Sequence, residues 1–164
     1  MDSGRELPPV AKLGAAAIHG DRRAGLEMLF GSAGALAPQM LLDATLPFTW
    51  VEPREHASDS DQTKDILVGG VQKLGFAIGV VGTTTLGGLG AWQTGDLLDK
   101  PRSRTGAMIG SLTGAAIGTA GSVLVTNWMA QRWPERYWLR LTVGSTLVGL
   151  GASLGYQVGS GGPR

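Results

Sequence analysis

"TGAMIGSLTGAAIGTAGS", residues 105–122, places glycine at positions 106, 110, 114 and 118 and serine at 122. Glycine is a poor helix former in water, about 1 kcal/mol worse than alanine in a helix interior. Repeating it every fourth residue makes sense where one helix face must be stripped of side chains, because positions i, i+4 and i+8 share a face. In lipid, burying apolar side chains between helices gains little, and close backbone approach drives association instead. The stretch therefore predicts a transmembrane helix with a groove along one side, built to pack tightly on another helix.

The distribution of charge extends this reading. Leu74 to Gly95, Thr105 to Gln131 and Leu141 to Pro163 contain no Asp, Glu, Lys or Arg. Each run is longer than the about 20 residues a helix needs to cross a bilayer core. Between them lie "DLLDKPRSR" (96–104) and "RWPERYWLR" (132–140), both charged and both carrying a proline that ends a helix. A fourth run, "MLFGSAGALAPQMLL" (28–42), is uncharged, is interrupted by Pro38 and continues past Asp43 into "ATLPFTW". It is read as a kinked span. "VEPREHASDSDQTKD" (51–65) reads as a solvated connector. The expected organisation is a polar N-terminal tail (1–23), a membrane bundle over 24–160 and a short C-terminal tail (161–164). The spans fall at about 28–50, 66–95, 105–129 and 137–159.

Composition fits. Of 164 residues only 16% are charged, with a net charge of +1, against about a quarter in soluble domains. The mean hydropathy of +0.09 is low for a multi-span protein, because glycine, serine and threonine dilute it. All five tryptophans, Trp50, Trp92, Trp128, Trp133 and Trp138, stand at the edges of expected spans, with Tyr137 beside the last. Aromatic rings collect at that level of a bilayer. The N-terminal stretch lacks an apolar core and carries Asp2, Glu6 and Asp21, so it does not read as a secretory signal. Alternation in 74–80 and 150–158 would suit strands of a membrane barrel, but the period of four in 105–122 and the lack of a visible export signal favour helices. The fold class expected is all-α: an integral membrane bundle of three to four glycine-zipper transmembrane helices.

Three sets of residues are assigned to helix packing: Gly106, Gly110, Gly114 and Gly118; a looser set of Gly75, Gly79 and Gly87; and Gly151, Gly155 and Gly159. Ala115, read as off the groove, is expected to accept a larger side chain more readily than Gly114. Asp43 closes the first span and Lys73 opens the second; across a simple connector they fall on one side and could form an intramembrane ion pair, the alternative being a snorkelling Lys73 and a water-exposed Asp43. A charge at depth is a functional candidate by default. Arg140 is expected to snorkel to the interface.

The chain carries few groups suited to chemistry. His19 and His56 are far apart in polar segments, and the absence of cysteine excludes disulfides and thiolate metal sites. The glycine-rich runs lack the Gly-Lys-Ser/Thr ending of a phosphate loop, and "GGLGAW" (87–92) lacks dinucleotide-binding spacing. No catalytic, cofactor or metal site is therefore expected, and the near-zero charge gives no reason to expect nucleic acid.

The layout resembles the mitochondrial preprotein translocase channel superfamily, which includes an accessory subunit of respiratory complex I. The resemblance rests on "GGVQKLGFAIG" (69–79), the loop "DLLDKP" (96–101) and "SLTGAAIG" (111–118). Where that family places an arginine four residues ahead of an aspartate before the third span, this chain has Gly95 and Asp99. The resemblance implies four glycine-rich spans that dock laterally on partner membrane subunits.

The function expected is a non-catalytic structural or assembly subunit that packs against partner membrane proteins through glycine-lined faces. The alternative is a pore, channel or translocation component formed by self-association. The expected partners are the lipid bilayer and other membrane subunits or further copies of the chain, in a bacterial or organellar inner membrane. Arg5, Lys12, Arg22, Arg23, Lys100, Arg102, Arg104 and Arg164 share one face in a four-span topology, against Arg54, Lys64, Arg132 and Arg136 on the other. This bias places both termini on the more positive side.

Overall fold

A computed structural model describes the backbone of residues 9–45, 59–98 and 101–161, with side chains from residue 22 in the first segment and residue 67 in the second. Trp50, the side chain of His19, all of His56, and most of the connector lie outside the described residues. Four helices follow in order: α1 (Pro9–Thr45), α2 (Asp59–Leu98), α3 (Arg104–Arg132) and α4 (Tyr137–Gly159). No strand occurs among the described residues, so the alternating stretches at 74–80 and 150–158 are helical.

α3 and α4 lie close to the expected spans. α1 and α2 are longer. α1 runs for 37 residues from Pro9, through the stretch read as a polar tail, and α2 for 40 from Asp59, inside the expected connector. Proline is well placed at a first helical position, and "KLGAAAI" that follows is rich in good helix formers. α1 also passes through Pro38 without a break, whereas the sequence predicts a kinked span. Opposite the ring stands Gly82, where a methyl group would lie 3.0 Å from Pro38 Cβ. Ser103 caps α3 by accepting a 3.0 Å hydrogen bond from Gly106 N–H. The α3–α4 loop begins at Trp133–Pro134, and proline cannot continue a helix.

Neighbouring helices run antiparallel. Thr45 meets Gly75, Leu42 meets Gly79 and Gly31 meets Gly87 along α1–α2. The contacts α1–α2, α2–α3, α3–α4 and α4–α1 close a ring, and α2 also touches α4 across it. The apolar centre consists of Ala35, Ala91, Ala115, Val148 and Ala152, all fully buried. Around it the usual sorting of a water-soluble bundle is reversed. Leu29, Phe30, Val71, Val81, Ile109, Ile117, Leu124, Trp138, Leu154 and Val158 are exposed, while Glu27, Gln39, Asp43, Thr83, Ser111, Ser122 and Arg140 are buried. Two helices, α2 over Leu67–Leu98 and α3, are long and apolar enough to cross a membrane.

Candidate functional site

The glycines of α3 and α4 face one another as a ladder. Gly106 lies against Gly159, Gly110 against Gly155 and Gly114 against Gly151, with each backbone carbonyl directed at its partner's Cα. A methyl group on Gly114 would overlap the Gly151 carbonyl oxygen, and one on Gly155 would overlap that of Gly110. Gly118 continues the seam onto Leu147, whose carbonyl oxygen would stand 2.5 Å from such a methyl. Backbones this close permit Cα–H···O contacts, a weak attraction that recurs at helix interfaces.

The second set is spent on α1 instead. Gly75 packs on Thr45 and Gly79 on the Leu42 backbone. Gly87 sits between Gly31, Ala35 and Val148. The α1 side of this seam was not picked out from sequence. Gly31 touches both Gly87 and Gly149, so three helices converge there, and Gly34 and Gly90 press on the carbonyls of Leu86 and Phe30. Gly149 packs on Ser32 and Met28. Ala115 does not lie off the packed face: it is fully buried in the alanine-rich centre. Its neighbour Ala116 faces outward.

The ion pairs differ from the expectation. Asp43 binds Arg140, with Oδ2 and Nη2 3.1 Å apart and both side chains buried. Lys73 is exposed. The register explains this, because Thr45 is level with Gly75 and Lys73 comes two residues earlier on α2, beyond the end of α1. Nor does Arg140 snorkel. Its Nη1 donates to the Pro134 carbonyl at 2.9 Å, so one side chain fixes both the α3–α4 loop and α1. A second, part-buried cluster occupies the other end of the bundle. Arg23 Nε donates to Glu27 at 2.8 Å, Arg23 Nη2 donates to the Tyr156 hydroxyl at 3.1 Å, and Ser153 donates to Glu27 at 3.2 Å. Its signal in the sequence was the i, i+4 spacing of Arg23 and Glu27, a helical ion-pair pattern. Glu27, Gly31, Ala35, Gln39 and Asp43 form one i, i+4 line along the buried face of α1. Glu27 and Asp43 lie sixteen residues apart on it, about 24 Å.

The α2–α3 contact is polar at two points. Ser111 donates to the Gly88 carbonyl at 2.6 Å, and Thr84 donates to Thr119 at 3.1 Å. Gly151–Gly155 carries Gly-x-Ser-x-Gly spacing, but a nucleophile elbow requires a strand-to-helix turn. Ser153 lies within α4 and spends its hydroxyl on Glu27.

Aromatic side chains mark both ends. Trp128 and Trp133 stack edge to face at 5.4 Å, as do Tyr137 and Trp138 at 5.5 Å. At the opposite end Arg104 lies over the Trp92 ring at 5.5 Å and pairs with Asp96 at 3.0 Å. Gly88 meets Leu112, so Trp92 is level with about Met108, and the rise from there to Trp128 is about 30 Å. On the outer flank of the α3–α4 ladder is an open apolar groove of about 380 Å³, lined by Gly110, Gly114, Ile117, Gly151, Leu154 and Val158 among others. No protein-family model matches this sequence, and neither a curated protein nor a solved structure is significantly similar to it.

Proposed function

We propose that this chain is an integral membrane protein without catalytic activity, a four-helix scaffold that assembles laterally with partner membrane proteins. The observation that carries the reading is the reversed sorting of side chains: Leu, Ile, Val and Trp outside, Glu27, Gln39, Asp43 and Arg140 inside. In water this arrangement exposes a large apolar surface, which monomeric soluble proteins rarely do. In a bilayer the same arrangement gives apolar contact with lipid and polar contact with protein. The aromatic rings at the two ends, about 30 Å apart along α3, match the thickness of a hydrocarbon core. α1, α2 and α3 are each long enough to cross, and the 23 residues of α4 reach about 35 Å.

The glycine-zipper reading takes its support from the α3–α4 ladder, and it is an internal one: those glycines join helices of the same chain. Partner subunits then meet the exposed apolar flanks. This fits the lateral docking implied by the resemblance to preprotein translocase subunits. A pore is the weaker reading, because Ala35, Ala91, Ala115, Val148 and Ala152 close the centre of the single bundle. Conduction would require several copies around a shared path.

The test is extraction and purification. The chain should stay with membranes through alkaline carbonate, require detergent for release, and bring stoichiometric membrane partners through gentle purification, while passing no ions in liposomes. Release into plain buffer as a stable monomer would overturn the membrane reading. Ion flux through a purified homo-oligomer would replace the scaffold with the pore.

A further inference from the structure

The structure assigns an internal hydration site to the layer around Gln39, with water bridging the Gln39 carboxamide to the Ser122 hydroxyl. Gln39 is fully buried on α1, and neither its Nε2 nor its Oε1 has a hydrogen-bond partner among the described residues. Ser122 on α3 and Thr83 on α2 are also fully buried with unpartnered hydroxyls. Left dry, each group loses its solvation without compensation. Proteins meet such groups with ordered water wherever the site offers about two to four polar partners.

Two of these groups lie within reach of one water molecule. A methyl group on Gly144 would lie 2.7 Å from both Gln39 Nε2 and Ser122 Oγ. The two atoms therefore flank the same point on α4 and stand no more than twice that distance apart. Two hydrogen bonds of about 2.8 Å, end to end, span such a gap. Gln39 Nε2 donates to the water oxygen, and the water donates to Ser122 Oγ. Thr83 adds a hydroxyl at this height, since its neighbour Gly82 packs on Pro38, the residue before Gln39. One helical turn further along α1 and α4 stand Asp43 and Arg140, whose Nε is also without a partner among the described residues. Because these two charges are spent on each other, the layer is neutral and suits a neutral ligand better than an ion. The alanine-rich centre limits its size on the other side. This inference does not depend on the membrane reading, since the layer is buried in either solvent.

The test is a double-mutant cycle on the full chain, in detergent or in buffer, whichever keeps it folded. Gln39→Met and Ser122→Ala should each lower the thermal midpoint by roughly 2–4 °C, because each leaves the bridge incomplete. The double variant should fall by clearly less than their sum. Single substitutions that raise the midpoint or leave it unchanged, with additive shifts, would overturn the site. A second measurement does not depend on stability. In the chain labelled with ¹⁵N-glutamine, magnetisation should pass from water to the Gln39 Nε2 protons, identified by their loss in Gln39→Met, and the transfer should vanish in Ser122→Ala. No transfer in the unmodified chain would also overturn it.

Discussion

At Gly114 a single methyl group decides whether α3 and α4 can pack. Its Cα faces the Gly151 carbonyl so closely that a Cβ would overlap it, and the obstacle is backbone, which cannot turn aside. Gly114→Ala should therefore destabilise by at least the roughly 1–3 kcal/mol of an overpacked core. Ala116→Leu, facing outward two residues on, should leave the unfolding midpoint unchanged. Gly121 tests the converse, because nothing lies within 4 Å of where its Cβ would be. With no contact to preserve, Gly121→Ala should stabilise α3 by about 0.5–1 kcal/mol. If Gly114→Ala and Gly121→Ala shift the thermal midpoint alike, the ladder is not close-packed. The same spacing argument fails for Ala115. From sequence it sits beside the groove, but the bundle surrounds α3 on more than one side and Ala115 points at α2, where Gly88 meets it. Ala115→Leu should therefore be as damaging as Gly114→Ala.

Among elements, the Asp43–Arg140 pair joins α1 to α4, and its partner could not be read from the chain. Asp43 and Lys73 are close in sequence across one connector, which made them a natural pair. The helices crossed at a register that carries Lys73 past the end of α1, and the partner came from ninety-seven positions away. Removing one member should cost about 3–5 kcal/mol, since the other is left buried and uncompensated. Asp43→Asn and Arg140→Met should each show this loss in thermal unfolding. Replacing both, as Asp43→Leu with Arg140→Met, should recover most of it. Lys73→Gln should stay within about 0.5 kcal/mol of the parent, as surface changes do, and should add simply to Asp43→Asn. A cycle in which Lys73 couples to Asp43 and Arg140 does not would reverse the assignment. α1 itself was the least legible element. Its charges at 12, 21, 22, 23, 27 and 43 interrupt the apolar pattern, yet Glu27 and Asp43 point inward to arginines from opposite ends of the bundle.

For the whole molecule the antiparallel order puts α1 at Arg23, the α2–α3 loop and the α4 end together, and the α3–α4 loop at the far end. The chain has no cysteine, so each introduced thiol is alone. Under the membrane reading, Arg102→Cys and Glu135→Cys in sealed vesicles should react with an impermeant thiol reagent from opposite sides. Reaction of both from the same side would remove the four-span topology.

The sequence by itself determined that the described residues are helical and, to within three residues, where α3 and α4 begin and end. These properties follow from local periodicity: glycine every fourth residue, long uncharged runs, and proline and charge between them. Only the tertiary structure decided that the α3 glycines meet α4 of the same chain, that Arg140 is buried against Asp43, and that Glu27 and Gln39 lie inside. Those outcomes depend on the rotation and register of one helix against another. Both are set by backbone fit at points such as Gly31, where three helices meet, and no single stretch of sequence contains that information.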